Sequence, residues 1–170
     1  MREMEPEVEE LTIFLTEFNQ ESNRGAVLAA GSLLDERLKS ILGAFLADVP
    51  ASQALLSGFN APIGTFSSRV SAAYALGLIQ ENEFTELNII RKVRNEFGHS
   101  WKGVTFDSDK VAHLCNQLPW LGPDELEEKS TPKERFGFAV AILLTDLLWR
   151  TRLVENDKRV IRSWSNKART

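Results

Sequence analysis

The sequence predicts an all-α fold, a single-domain bundle of about five to seven helices. Apolar residues recur every three or four positions through most of the 170-residue chain, and no stretch keeps the alternation of a strand between hairpin turns. Residues typical of helix N-termini precede the periodic segments. The clearest case is Thr131-Pro132-Lys133-Glu134. The length suits one domain, with a core over about residues 7–154 and a basic C-terminal extension over 155–170.

The first predicted helix runs from about Glu7 to Asn19, behind a proline that suits a first turn. The second runs from about Ser22 to Ala47 and ends before Pro50. Its N-terminal half, residues 25–32, is rich in small side chains, which let another backbone come close. We therefore expect this half to cross a neighbouring helix or a second subunit.

Residues 51–65 predict a short helical turn and then a connector in which Phe59 is expected to be buried. Thr65 suits the N-cap of a third helix. A fourth helix is predicted from about Glu81 to Gly98, and another runs from the cap at residues 107–109 to about residue 118.

The last long helix is predicted from the cap at Thr131 to about Val154. Its middle, residues 138–144, is apolar on nearly all sides, so we expect it to be central. Asp146 is unusual in such a helix, because an unpaired buried carboxylate is costly. It is expected to meet an arginine of another helix or to face a subunit interface.

Composition narrows the class of protein. One cysteine excludes an internal disulfide framework, and two histidines with one cysteine cannot form a standard structural zinc site, so no metal or cofactor is predicted. The N-terminus has no continuous apolar stretch of the kind that marks a signal peptide. The most apolar run, residues 136–149, is too short for a bilayer. We therefore expect a soluble, cytoplasmic protein with no membrane partner.

The charge is unevenly distributed along the chain. The net charge of −4 gives no global signal for nucleic acid, but residues 1–21 carry −6 and residues 150–170 carry +5. The two ends could simply attract each other or be solvated. Alternatively, the basic end, which includes Trp164, contacts nucleic acid or an acidic protein.

A polar cluster at the end of the fourth helix is the main candidate site. Asn95 and His99 lie one helical turn apart, Arg91 continues that stripe, and Arg94 flanks it. A histidine can transfer protons near neutral pH and an arginine can bind phosphate. RNA cleavage through the 2′-hydroxyl needs a base, an acid and a cation, and it needs no metal. The same cluster could instead bond helices together.

The order Arg94-Asn95, three residues, then His99 resembles the signature of the HEPN superfamily, small all-α bundles that are often metal-independent ribonucleases. The wider set of blocks resembles the mannitol operon repressor family of bacterial regulators. Those blocks are residues 23–35, 68–78 and 90–99, in that order, within a resemblance covering about residues 11–120.

This resemblance implies an all-helical regulator without a standard DNA-reading module, in which a partner protein makes any DNA contact. The HEPN signature implies a homodimer with the motif near the interface. The sequence therefore leaves two functions open. One is a non-enzymatic negative regulator of the mannitol repressor type. The other is a metal-independent endoribonuclease that uses His99 and Arg94, with Asn95 beside them.

Further binding candidates lie outside the cluster. Arg24 and Asp35 are eleven residues apart, roughly on one helix face, and Asp35 could hold the guanidinium of Arg94 or belong to a surface patch. Arg69 could bind a phosphate or pair with Glu81 or Glu83. Trp101 is expected to plug the core, the alternative being a platform on which a base stacks. His113 and Cys115 have no motif around them and are expected to be structural.

Overall fold

A computed structural model describes residues 5–167, and within that range the chain is all-helical, as predicted. Eight α-helices and one 3₁₀ helix, Asp124–Lys129, follow one another without a strand between them. The α-helices are α1 Pro6–Phe18, α2 Asn23–Phe45, α3 Pro50–Leu56, α4 Phe66–Ala75, α5 Glu81–His99, α6 Asp109–Cys115, α7 Pro132–Asp146 and α8 Arg150–Glu155. Three of them, α3, α6 and α8, have only six or seven residues.

The predicted helix starts agree with the capping geometry. Thr65 and Ser68 form a reciprocal capping box at α4, in which each side chain accepts from the backbone N–H of the other residue. Thr131 and Glu134 do the same at α7, behind Pro132 in the first turn. These signals are local, so the sequence alone is sufficient to place them.

Helix α2 is the centre of the bundle. It contacts α1, α3, α4, α5 and α8, and its inward face is completely shielded from solvent at Leu34, Leu38, Ile41 and Leu42. The expectation that the last long helix is central is wrong. Helix α7 packs on α1, α5 and α6, and its Ile142 remains 38% exposed.

The last predicted helix also divides in two. Residues 147–149 form a turn in which Leu148 N–H donates to Thr145 O and Arg150 N–H donates to Leu147 O, both three residues back. This tightening ends α7 at Asp146 and starts α8 at Arg150. The redirected helix places Arg150 against α5, where its guanidinium donates to the carbonyl of Leu78 at 2.9 Å.

Arg150 also pairs with Glu83, a carboxylate in the first turn of α5 that is only 2% exposed. The Nη2–Oε1 distance is 2.7 Å and the Nη1–Oε2 distance is 3.0 Å, so both carboxylate oxygens accept from the guanidinium. Glu83 Oε2 also accepts from Gln80 N–H at 2.6 Å. Asp146, expected to meet an arginine of another helix or to face a subunit interface, is exposed at the end of α7 and lies close enough to Arg150 of α8 to interact with it electrostatically.

Two large aromatic side chains contradict the expectation of burial. Phe59 is 98% exposed, between Gly58 and Asn60, which both have positive φ angles that turn the connector outward. Trp101, expected to plug the core, is 84% exposed, and Lys102 Nζ lies 5.1 Å from its ring centroid.

The acidic and basic ends of the chain do attract each other. Arg152 of α8 donates to Glu5 and to Glu7 of α1, each at 2.8 Å. Arg2, Glu3 and Arg169, which belong to the same charge runs, lie outside the described residues. Within residues 5–167, no helix has the length and apolarity required to cross a membrane.

A pH-dependent stability is expected from Glu86, a carboxyl of α5 that is 8% exposed. Burial, then the nearby charges of Asp146 and Glu83, raise the pKa of Glu86 above its ordinary 4.5. The folded protein therefore holds this proton more tightly than the unfolded chain. The stabilising contribution is complete below the ordinary pKa and is lost as the pH rises through the raised one.

We expect Glu86→Gln to raise the midpoint of thermal unfolding at neutral pH and to leave it nearly unchanged at acid pH, near the ordinary pKa. Thermal melts of wild type and variant at both pH values test this. Glu81→Gln, on the exposed side of the same helix, is the control and should show no such gain. A gain of equal size at both pH values would show that ionisation of Glu86 is not the cause.

Candidate functional site

The polar cluster lies on the outer side of the C-terminal half of α5. The inner side of this half is buried at Ile90, Val93 and Phe97, each at most 1% exposed. This core face determines where the remaining positions point, because the helix turns about 100° per residue. Arg94 and His99 are exposed, whereas Arg91 and Asn95 are half-buried.

His99 is the last residue of α5 and lies open to solvent. Within the described part of the chain its ring makes no hydrogen bond, to a carbonyl or to any other group. A buried, backbone-bonded histidine would exclude a catalytic role, and that condition is not met. Asn95 lies one turn before it on the same side of the helix.

Helix α5 crosses α2 where the stem of Arg94 packs against Gly31. A Cβ atom on Gly31 would lie 2.8 Å from Arg94 Cγ, so only glycine at this position leaves room for the arginine stem. The small-residue half of α2 therefore crosses a neighbouring helix, as predicted, and that helix is α5. Beyond the crossing, the Arg94 guanidinium donates to Asn95 Oδ1 at 3.4 Å and lies close to Gly98.

A cavity of about 280 Å³ opens beside Arg94. Its other walls come from the middle of α2 and the start of α4, namely Gly31, Ser32, Asp35, Thr65 and Phe66. It contains a guanidinium, a carboxylate and two hydroxyl groups. Such a lining suits a small polar group better than an apolar one.

Asp35 does not hold Arg94. Its Oδ2 pairs with Arg69 Nη1 at 2.8 Å, while its Oδ1 is buried without a partner. Arg69 is 6% exposed and also donates to Leu56 O at 3.0 Å and to Ile63 O at 3.1 Å. The expected pairing with Glu81 or Glu83 is therefore wrong, because Arg69 uses its guanidinium to bind α2 and the connector. The expected phosphate contact stays a prediction.

The remaining candidates, Arg24 and Arg91, bond within the bundle. Arg24 Nη1 donates to Ser100 O at 2.6 Å, which joins the start of α2 to the end of α5. Arg91 donates to Asn88 Oδ1 at 3.5 Å, and its Nε is buried without a partner. Arg24 and Asp35 thus bind different partners, although their spacing suggested a common face.

The structure therefore separates the predicted site residues into two groups. Asp35, Arg69, Arg24 and Arg91 bond within the bundle, and the first two form a structural ion pair. Arg94, Asn95 and His99 lie on the outer side of α5, at least partly accessible to solvent. A guanidinium, an amide and an imidazole that are accessible to solvent can bind an anion and exchange a proton. No cluster of metal-ligating side chains occurs in residues 5–167.

The Glu83–Arg150 pair and the exposure of Trp101 are features of the structure that were not among the predictions from the sequence. Glu83 carried a signal, because it stands three residues after Gln80 in a capping position, but nothing local indicates Arg150 as its partner. The exposed Trp101 and Lys102 follow the C-cap residue Ser100 and add an aromatic ring and a cation beyond the polar end of α5.

Comparison with known proteins gives one informative match. No protein-family model matches the chain, and no curated protein sequence does. The structure is similar to the chain solved in "X-ray structure of the MtlR-HPr complex from Escherichia coli", with a TM-score of 0.54 and 21% sequence identity. The match covers 85% of this chain and 98% of that one. The protein therefore has an MtlR-like helical fold.

Proposed function

We propose that the protein is a bacterial regulator of the MtlR type, which acts through protein partners. The observation that carries this proposal is the extent of the fold similarity, which includes nearly the whole of the MtlR chain. That chain was solved with HPr, so the partner named with it is itself a protein. The ordered sequence blocks that resemble the mannitol operon repressor family support the same proposal.

The sign of the regulation, the genes it acts on, the cellular compartment and the homodimer are proposed from the sequence resemblance to the mannitol operon repressor family and the HEPN superfamily. The regulator is negative, acts on genes of mannitol uptake and catabolism, and works in the cytoplasm as a homodimer. Contact with DNA is indirect, through a partner, since the long helices bury their apolar faces in the bundle and the net charge of −4 does not favour direct binding.

Binding to the HPr of the same bacterium tests the protein-partner function. Purified full-length protein is titrated with HPr by calorimetry, and transcript levels of the mannitol genes are compared between wild-type and deletion strains. We expect saturable binding and a rise in those transcripts in the deletion strain. If HPr does not bind and the transcripts do not change, the proposal is wrong.

A second function is favoured by one specific observation. His99 has a free, exposed ring, and Arg94 places an exposed guanidinium on the same helix. The two residues are about 140° apart around the helix axis, since they are five positions apart in the sequence and each step turns the helix by about 100°. One copy of the chain therefore does not direct both side chains at one point. A metal-independent endoribonuclease built on them needs two copies of the motif at one site.

An RNA-cleavage assay with a chelator present tests this alternative. If the protein is a ribonuclease, His99→Ala and Arg94→Ala should each reduce cleavage by about a hundredfold or more. His113→Ala removes the only other histidine, which is also exposed, and should leave cleavage unchanged. Equal cleavage by wild type and His99→Ala would assign the activity to a contaminant and exclude this function.

A further inference from the structure

Residues 158–167, which we call the C-terminal arm, form an exposed basic segment. It forms neither helix nor strand, and every residue in it is exposed. Its start is fixed to the end of α2, because Arg159 N–H donates to Phe45 O at 2.7 Å and the Arg159 guanidinium lies 4.7 Å from the Phe45 ring centroid. The arm is thus held at its base by Arg159, and its residues 160–167 are exposed to solvent.

The arm differs from the rest of the chain in charge. It contains four cations and no carboxylate, at Lys158, Arg159, Arg162 and Lys167. Residues 1–157 contain 15 lysines and arginines against 24 aspartates and glutamates, a net charge of −9. A second copy of this chain therefore presents an acidic surface, opposite in charge to the arm.

The arm also exposes three large apolar side chains within five residues. Val160, Ile161 and Trp164 are 72%, 74% and 73% exposed. Closely spaced exposed apolar groups mark interaction sites, and tryptophan contributes more than most residues to binding when it enters a pocket. The chemistry of the arm therefore requires a partner with an apolar recess and carboxylates nearby.

The bundle offers such a recess between α1 and α7. This cleft has a volume of about 420 Å³ and apolar walls formed by Leu15, Phe18, Phe138 and Ala141. Glu134 lines it together with Lys133, and the exposed Glu17 stands next to Phe18 on α1. Helix α1 already binds a cation from the C-terminal part of its own chain, since Arg152 pairs with Glu5 and Glu7.

We propose that the C-terminal arm docks on a second copy of this chain, with Trp164 in the α1–α7 cleft of that copy and the arm cations against its acidic residues. Nucleic acid suits the arm less well. Val160 and Ile161 have no role on a phosphate backbone, and the body with its charge of −9 repels a polyanion. The proposal does not depend on the regulatory function proposed above.

Sedimentation of the full-length protein over a range of concentrations tests the proposal. We expect reversible self-association that weakens as salt is raised, since salt screens the charged part of the contact. Trp164→Ala should raise the dissociation constant at least about tenfold. Trp101→Ala removes a tryptophan that is still more exposed, 84%, but lies outside the arm, and it should leave the constant unchanged.

A second set of variants changes the cleft instead of the arm. Ala141→Phe fills the cleft, and Glu17→Lys reverses an exposed charge on α1 next to Phe18, which lines the cleft. At least one of the two variants should retain the fold by circular dichroism, because Glu17 lies outside the core. Each is expected to weaken self-association. A mixture of Trp164→Ala with Ala141→Phe should associate more strongly than either variant alone, because an intact arm then meets an intact cleft.

Three results would overturn the proposal. One is a wild-type protein that stays monomeric at every concentration. Another is self-association that Trp164→Ala leaves unchanged. The third is binding of single-stranded DNA or RNA that depends on Trp164 in a protein that does not self-associate. Loss of HPr binding or of gene regulation has no bearing on these outcomes.

Discussion

Replacement of Arg150 by methionine is expected to lower the free energy of unfolding by about 3–5 kcal/mol. The substitution removes the guanidinium that neutralises Glu83, which is only 2% exposed, and it removes the donor to Leu78 O. The remaining Glu83 carboxylate keeps only the backbone N–H of Gln80. A charge that stays buried without its partner is costly, and denaturation by urea measures the loss.

Two further variants isolate the cause. The double variant Glu83→Gln, Arg150→Met removes both charges and should recover a large part of the lost stability, because no charge is then buried. Arg152→Met lies two residues further on in α8. It removes the exposed pairs with Glu5 and Glu7 and the contact with the Trp149 ring but leaves no buried charge unpaired, so its effect should be much smaller. Equal losses for Arg150→Met and Arg152→Met would contradict the assignment.

Arg69→Met is expected to lower the free energy of unfolding by about 3 kcal/mol. The Arg69 side chain binds Asp35 of α2, the last residue of α3 through Leu56 O, and the connector through Ile63 O. The variant leaves a carboxylate and two carbonyls without their donor. Besides the global loss in urea denaturation, backbone amides of residues 57–65 should exchange faster with solvent.

Arg69→Lys serves as the matched variant. It keeps the positive charge near Asp35 but cannot reach three acceptors in different directions, so its stability should lie between those of wild type and Arg69→Met. A stability of Arg69→Met within about 0.5 kcal/mol of wild type would show that these bonds are replaced by water at little cost.

The starts of the helices illustrate what local sequence can predict. Thr131 and Glu134 are three residues apart, and their mutual hydrogen bonds close within one turn, so a short window of sequence contains the whole interaction. The crossing of the small-residue half of α2 was predictable for a similar reason, because a glycine at position 31 leaves room whichever helix arrives. The identity of that helix, α5, was not.

The errors concern partners that are distant in sequence. Arg150 finds Glu83 across 67 residues and Leu78 across 72, and the turn at residues 147–149 that makes this contact has no strong breaker in its sequence. A pairing of Arg69 with the glutamates of α5 was expected as one alternative, yet its carboxylate partner, Asp35, lies on α2. Trp101 and Phe59 were expected inside because both are large and apolar, but the chain around each turns outward.

In the candidate site, too, some features follow from local sequence and others depend on contacts between residues that are distant in sequence. By itself the sequence determined the helical class, the main caps, and the set of side chains at the end of α5 that can bind an anion or exchange a proton, because these depend on spacing and chemical type. Only the tertiary structure decided that Arg69 and Asp35 bond to each other and that Arg94 and His99 face outward. The reason is physical: α5 buries the face that contains Val93 and Phe97, and long-range packing of that face determines which polar side chains remain free.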